Sequence, residues 1–227
     1  MPLFMLSKKL VFPPVHLAEP EGVLAIGGDL SVERLLLAYR NGIFPWYSDG
    51  EPILWWTPDP RFVLFPERLH VSKSMHRLLK TGRFQVTLDR AFPKVIRECQ
   101  KTPRRNQPGT WLTGAMLNAY CRLHEAGYAH SVEVWEDDVL AGGLYGVSLG
   151  RCFFGESMFT KVSNASKVGL IGLVDRLREW EFPLIDCQVE TAHLASLGAE
   201  PIPRVEFMRR LHAALRHPDR RGSWDAA

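Results

Sequence analysis

The short apolar run PLIDCQV, residues 183–189, carries an acid, a thiol and an amide at its centre. If the run is a β-strand, its side chains alternate between two faces, so Asp186 and Gln188 share one face and Cys187 points to the other. A carboxylate buried there without a partner costs on the order of several kcal/mol. The pattern therefore indicates either a strand end at which Asp186 caps the next helix or reaches solvent, or an active site.

Several other motifs that could carry out chemistry fail on their spacing. The run GESMF at 155–159 lacks the second glycine of a serine nucleophile elbow, because Phe159 stands in its place. In HEAGYAH at 124–130 the two histidines are too far apart for one helical turn and Gly127 interrupts the helix, which excludes the zinc-protease motif. Cys187 as a nucleophile would require a paired base, and on a regular strand it faces away from its polar neighbours.

The basic residues of the chain are concentrated between Arg61 and Arg105. That stretch contains 12 Lys and Arg and three acidic residues, whereas the rest of the chain contains 16 basic and 22 acidic residues. Within it, Lys73, Arg77 and Lys80 recur at helical spacing and form one stripe. Like charges in a stripe repel one another, and contacts with phosphates relieve that repulsion. The stripe predicts either a surface that binds a polyanion or a solvated helix face.

The composition is that of a globular protein with a sizeable core: 227 residues, 46% apolar and 23% charged. No apolar stretch reaches the length of a membrane span, and the first residues lack the apolar core of an export signal. The four cysteines form no C-x-x-C pair, which is typical of reduced thiols. We therefore predict a cytoplasmic protein with no membrane association.

The pattern along the chain predicts two domains, a small one over residues 1–62 and a larger one over 63–227. The first is rich in Gly, Pro and Trp, with one clear helix capped by Ser31 and a loop-like segment at 42–61. In the second, Ser72 and Asp89 are predicted N-caps of two helices, with a strand FQVTL between them. A further helix, three strands, a long helix, a strand and two C-terminal helices follow.

An antiparallel meander followed by strand–helix–strand is the order of elements in an N-acetyltransferase-type (GNAT-type) fold. We therefore predict an α+β class, with a small N-terminal domain packed on a GNAT-type domain that has a mixed, mainly antiparallel sheet. The segment that opens the long helix, FTKVSNASKVG, lacks the glycine pair that would let a coenzyme A pyrophosphate approach the backbone. A different acyl donor is expected.

A series of long motifs follows in order from Leu24 to Ala199. They are LAIGGDLSVERLLLAYRNGIFPWYS, ILWWTPDPR, HSVEVW, GGLYGVSLG, FFGESMF, NASK, LIDCQ and HLASLGA. In this order they resemble the leucyl/phenylalanyl-tRNA–protein transferase family. The resemblance implies an aminoacyltransferase that moves Leu or Phe, and Met less well, from aminoacyl-tRNA to the N-terminal α-amino group of proteins beginning with Arg or Lys, which marks them for N-degron proteolysis.

The resemblance also implies roles for individual residues. Asp186 fixes Gln188, whose carbonyl oxygen holds the attacking amine, and Glu156 helps to bind the acceptor's N-terminus. Lys73, Arg77 and Lys80 match the cluster expected to hold the tRNA acceptor end. An apolar pocket for the donor side chain is expected from Trp46, Trp111, Leu144, Phe153, Leu173 and Ile185. Because an ester becoming an amide runs downhill, neither a nucleotide cofactor nor a metal is expected.

Two alternatives to this function remain. One is an aminoacyl-tRNA-dependent transferase that adds residues to a cell-wall peptide, for which the chain looks too short to hold the duplicated domains. The other is a tRNA-binding module that has lost catalysis, which the presence of Asp186, Glu156 and Gln188 disfavours.

Overall fold

The computed structural model describes residues 3–102 and 112–225. Its N-terminal part is a four-stranded sheet in the order β1-β2-β4-β3 with one α-helix, α1. The bounds are β1 Phe4–Leu6, β2 Val23–Gly27, α1 Val32–Arg40, β3 Phe44–Pro45 and β4 Leu54–Trp56. The predicted helix and its cap are confirmed, since the Ser31 side chain accepts the amide of Arg34. The loop-like interpretation of 42–61 was wrong at β3 and β4, which pair with each other despite the prolines around them.

The rest of the chain forms a seven-stranded sheet in the order β11-β5-β10-β9-β8-β7-β6, flanked by helices. The strands are β5 Arg61–Leu64, β6 Gln85–Leu88, β7 Ala129–Glu136, β8 Val139–Leu149, β9 Cys152–Thr160, β10 Leu184–Gln188 and β11 Glu200–Ile202. The helices are α2 Lys73–Lys80, α3 Phe92–Lys101, α4 Gly114–Glu125, α5 Ala165–Glu179, α6 Ala192–Ala195 and α7 Arg204–Ala214. Only β9 and β10 pair in parallel in this sheet as described, so the predicted α+β class with a mixed, mainly antiparallel sheet is confirmed.

The start of α3 differs from the prediction that Asp89 caps it. The N-cap residue is Ala91, and Asp89 has a positive φ of 57°. The buried Glu133 side chain on β7 accepts the amides of Arg90 and Ala91 instead. A side chain distant in sequence thus fixes the chain just before the helix, which local sequence patterns do not reveal.

The two sheets share one core. Buried side chains of the N-terminal sheet and α1, such as Leu24, Tyr39 and Trp55, belong to the same cluster as Val63 and Phe154 of the large sheet. The predicted domain division after residue 62 stays a prediction. Among the described residues, no helix combines the length and the apolar character that crossing a membrane requires.

The large sheet opens between β9 and β10. Their parallel pairing extends from Leu184 opposite Cys152 to Asp186 opposite Phe154. Beyond this point β9 continues against β8 alone, while the pairing of β10 with β5 shifts by one residue between Asp186 and Gln188. The separation of the two strands leaves a gap in the sheet, which side chains of both strands line.

Gly146 on β8 leaves no room for a side chain. A Cβ there would lie 2.5 Å from Cζ of Phe153 and closer still to the backbone oxygen of Phe154. We expect Gly146→Ala to lower the free energy of unfolding by about 1–3 kcal/mol or more, because β8 and β9 would have to separate. Gly114→Ala is the matched control, since nothing lies within 4 Å of a Cβ at Gly114 and its φ is not left-handed. Urea unfolding of both variants measures the difference; equal effects would contradict the crowding at Gly146.

Candidate active site

A pocket of about 360 Å³ lies where β9 and β10 separate. Most of its lining side chains are apolar, and this volume is within the usual range of small-molecule sites, about 300–1,000 Å³. Five residues predicted to hold a donor side chain line it together: Trp46, Leu144, Phe153, Leu173 and Ile185. The sixth, Trp111, lies outside the described residues. The structure thus brings together residues that are far apart in the chain, while their role in binding stays a prediction.

Two polar side chains bridge the gap between the strands at one wall of the pocket. The amide Nε2 of Gln188 on β10 donates to Oε1 of Glu156 on β9, at 2.8 Å. Tyr39 on α1 donates to the same oxygen at 2.8 Å, and Tyr120 on α4 donates to Oε2 at 2.7 Å. Three hydrogen-bond donors thus surround one carboxyl group, which is the arrangement that suits a carboxylate.

The environment of Glu156 sets its protonation. Burial raises the pKa of its carboxyl group to about 7, although the hydrogen bonds from Tyr120, Tyr39 and Gln188 act in the opposite direction, and the charge of Asp186 adds to the increase. The pKa of the Tyr39 and Tyr120 hydroxyls is raised well above the ordinary value, first by burial and then by the charge of Glu156. Glu156 therefore gains and loses its proton near neutral pH while both tyrosines remain donors.

Asp186 lies behind the pocket wall and not in the pocket lining. Its two oxygens accept Nε and Nη2 of Arg61 on β5, at 2.8 and 2.7 Å, and both side chains are buried. The guanidinium also packs on the rings of Phe44 and Phe207, each at 4.7 Å. The buried Asp186 carboxylate, which would be costly without a partner, is therefore paired with a group of opposite charge.

Asp186 holds Gln188 through the backbone. Asp186 Oδ1 accepts the main-chain amide of Gln188 at 2.9 Å, and Gln188 has a left-handed φ of 65°. The prediction that the two side chains share one face of a regular strand was wrong, because the strand is irregular at this point. The hydrogen bond from the Gln188 amide to the Asp186 side chain accompanies a break in the alternation of side chains. As a result, the Gln188 side chain points toward Glu156.

Cys187 lies on the face that strand alternation gives it, opposite Asp186. It lines the pocket together with Ile185, two residues earlier, and it is the turned Gln188 that joins them there. Burial raises the pKa of the Cys187 thiol well above the ordinary value, and the charge of Asp186 adds to this. A thiol in such surroundings stays protonated at neutral pH, which disfavours it as a nucleophile.

Four residues of the site were not found from the sequence. Arg61 could have been noticed in the sequence, because it is a charged residue next to an apolar run, RFVLF, just as Asp186 is a charged residue within PLIDCQV. Tyr39 and Tyr120 carried none, because they lie on the apolar faces of helices as ordinary core residues do. His193, on α6, lines the pocket, and its buried Nε2 has no hydrogen-bond partner among the described residues.

The predicted basic stripe lies on α2. Lys73, Arg77 and Lys80 are all exposed, while Met75 on the same helix is buried. None of the three forms an ion pair within the part of the chain that the structure describes, and none lines the pocket. The stripe is therefore accessible to a ligand, and its role in binding a polyanion stays a prediction.

Two solved structures have a weak likeness to this chain. One, titled "The structure of L-PGS from Bacillus licheniformis", matches with a TM-score of 0.40 and 11% identity over 74% of this chain and 54% of that one. The other, a GCN5-related N-acetyltransferase from Kribbella flavida, matches with a TM-score of 0.35 and 10% identity over 73% and 59%. At such scores the likeness carries no argument about function.

The sequence comparisons are much stronger. The family model of the leucyl/phenylalanyl-tRNA protein transferase matches residues 63–212, and the model of that family's N-terminal domain matches 28–59. Among curated proteins, leucyl/phenylalanyl-tRNA–protein transferases from Anaeromyxobacter sp. (strain Fw109-5) and Syntrophus aciditrophicus (strain SB) are 57% and 60% identical to this chain. Both alignments cover 99% of it, and 96% and 94% of the relatives. The chain therefore belongs to the leucyl/phenylalanyl-tRNA–protein transferase family and is an aminoacyltransferase.

Proposed function

We propose that this aminoacyltransferase moves Leu or Phe, and Met less well, from aminoacyl-tRNA to the N-terminal α-amino group of proteins that begin with Arg or Lys. The product is a substrate of N-degron proteolysis in the cytoplasm. The observation that carries the proposal is the hydrogen-bonded pair of Glu156 and Gln188 at the wall of an apolar pocket. An apolar amino acid held in such a pocket presents its ester next to polar groups that can orient an amine.

The donor side chain is the part of the substrate that fits the pocket. The walls formed by Leu144, Phe153 and Leu173 are almost completely buried and apolar. Such walls favour Leu and Phe through the removal of apolar surface from water, at about 25 cal/mol per Å². A charged or strongly polar donor side chain would lose its hydration there without gaining a partner.

The acceptor amine meets Gln188. Because Nε2 of Gln188 donates to Glu156, its carbonyl oxygen Oε1 is the atom left to accept a hydrogen bond from the attacking amine. An α-amino group has an ordinary pKa of about 7.7–8.0, so a fraction is neutral and nucleophilic at cellular pH. Orientation by Gln188 is then sufficient, and the nearby Glu156 carboxylate attracts the positive charge of a basic N-terminus.

Asp186 and Arg61 act as positioning residues for Gln188. The buried ion pair fixes Asp186, and Asp186 in turn fixes the main-chain amide of Gln188. In the reaction a bond forms between the amine nitrogen and the ester carbonyl carbon, and the bond from that carbon to the ribose oxygen breaks. The amine loses one proton and the ribose oxygen gains one, so no cofactor is consumed.

The tRNA is expected to contact α2. One enzyme that accepts several tRNAs has to rely on phosphates and the terminal adenosine rather than on helical sequence. The exposed stripe of Lys73, Arg77 and Lys80 offers charge to those phosphates. An assay with radiolabelled Phe-tRNA and a peptide that begins with Arg tests the whole proposal: labelled peptide is expected, and the same peptide with an acetylated N-terminus should stay unlabelled.

Replacement of Gln188 tests the orientation of the amine. We expect Gln188→Ala to lower kcat roughly 100-fold or more with little change in aminoacyl-tRNA binding, since the lost contact acts in the transition state. Asp186→Asn should lower kcat as well, because it weakens the hold on the main chain of Gln188. Single-turnover kinetics with saturating Phe-tRNA measure both. A folded but inactive Cys187→Ser variant, beside an active Gln188→Ala variant, would instead favour a thioester route.

The ionisation of Glu156 predicts a pH-dependent stability. The pKa of the Glu156 carboxyl group rises from its ordinary value of 4.5 to about 7 in the folded protein. Between these two pH values the group is therefore deprotonated in the unfolded chain but still protonated in the folded protein. The contribution of Glu156 to the free energy of unfolding is fully present below about pH 4.5. It falls by up to about 3 kcal/mol as the pH rises to 7. Denaturant unfolding of the wild type and of Glu156→Gln from pH 4 to pH 8 isolates this effect. A constant difference between the two proteins across that range would contradict it.

The basic stripe predicts a salt effect. Replacement of Lys73, Arg77 and Lys80 by Ala should raise KM for aminoacyl-tRNA and reduce the slope of log affinity against log salt by roughly 2–3, as three phosphate contacts are lost. Replacement of the exposed Lys8, Lys9 and Arg216 by Ala is the matched control, with the same change in net charge. Identical slopes for the two triple variants would mean that α2 only carries a solvated face.

A further inference from the structure

The C-terminal segment, residues 215–225, has no regular secondary structure and passes along the turns at one end of the large sheet. Asp219 Oδ1 accepts the amide of Gly150 at 2.7 Å, in the turn between β8 and β9. Further along, the amide of Trp224 donates to Oδ2 of Asp89 at 2.8 Å, directly after β6. Hydrogen bonds of Asp219 and Trp224 hold the segment against the sheet.

Trp224 is the buried residue of this segment, with 2% of its surface exposed. Its ring stacks on His130 at a centroid distance of 3.7 Å and an interplanar angle of 6°. His130 is held in place by Asp89, which contacts its Nδ1 at 2.8 Å. Trp180, at the end of α5, meets the indole edge-on at 4.9 Å. Rigid neighbours on two sides therefore fix the position of the indole ring.

On another side Trp224 meets the pocket. Its ring centroid lies 6.1 Å from that of Phe153, which lines the pocket. The Phe153 ring also packs so closely on the backbone of Gly146 that a Cβ there would be 2.5 Å away. Phe153 is thus held between Gly146 and the indole. The same buried cluster contains Leu144 and Leu173 of the pocket wall.

We propose that Trp224 is a positioning residue that sets the depth of the donor pocket by holding the ring of Phe153. With the indole present, Phe153 is held in its place in the pocket wall, which fixes the depth of the pocket on that side. Without it, an apolar space opens behind Phe153, the ring moves into that space, and the pocket accepts larger donors. This inference rests on the proposed function, because it takes the pocket to hold the side chain of the donor amino acid.

Donor selectivity is the test. The variants Trp224→Ala and Trp224→Phe are assayed with tRNA charged with Leu, Phe or Trp, and kcat/KM is measured for each donor. The ratio of Trp to Leu transfer should rise roughly tenfold in Trp224→Ala, the size of effect that a change of pocket volume produces, and less in Trp224→Phe. A purely structural role would lower kcat/KM for all donors by one factor and leave the ratio unchanged.

Arg221→Ala is the matched control, since Arg221 belongs to the same segment but packs on Tyr128 at 4.6 Å and away from Phe153. Its donor ratio should equal that of the wild type. Circular dichroism establishes which Trp224 variants fold, and Trp224→Phe decides the test if Trp224→Ala does not. A change of less than about threefold in the folded variants overturns the inference. If the wild type transfers neither Leu nor Phe, the proposed function fails; if it transfers both and the ratio stays fixed, the inference alone fails.

Discussion

The buried ion pair between Arg61 and Asp186 is the interaction on which the rest of the site depends. It joins β5 to β10 at the point where β10 separates from β9. Removing one partner of such a pair costs about 3–5 kcal/mol, because the other charge stays buried without a counter-ion. Phe44 from the N-terminal sheet and Phe207 from α7 both pack on the guanidinium. One arginine therefore holds the strands, the N-terminal sheet and the last helix in a fixed relation.

The ion pair also determines the conformation of Gln188. An aspartate that was free to rotate could not accept the amide two residues further on with a defined geometry. With both oxygens engaged by Arg61, Asp186 Oδ1 keeps a fixed position and holds Gln188 in a left-handed conformation. Backbone strain of this kind costs on the order of 1–3 kcal/mol and persists only where the surroundings determine it. Here the surroundings include the hydrogen bond from Gln188 to Glu156.

Glu156 connects this arrangement to the rest of the fold. Its two tyrosine partners come from α1, which packs with the N-terminal sheet, and from α4 of the larger part. The Glu156 side chain is half-buried, and the pKa of its carboxyl group is about 7 because the loss of hydration outweighs the three hydrogen bonds. Phe153, on the same strand as Glu156, lies 6.1 Å from Trp224 of the C-terminal segment. Residues from the first forty and the last five positions of the described chain thus meet around one pocket.

The sequence by itself determined the family of the chain and many of its local elements. Helical periodicity and the cap at Ser31 predicted α1, and the order of elements predicted the α+β class. Motifs in register identified Glu156, Gln188 and five residues that line one pocket in the structure. These features depend on neighbours in the chain or on segments that a family preserves as units, so a single sequence contains them.

Only the tertiary structure decided the partners of these residues. Arg61 and Asp186 are 125 positions apart, and Tyr39 and Glu156 are 117 apart. The direction of Gln188 could not be read from the alternation of LIDCQV, because that rule holds for a regular strand and the pairing with β5 breaks the register there. The contact of Glu133 with the amides that precede α3 follows the same principle. Contacts between distant segments and local departures from regular geometry arise when the sheet assembles, and no local pattern in the sequence encodes them.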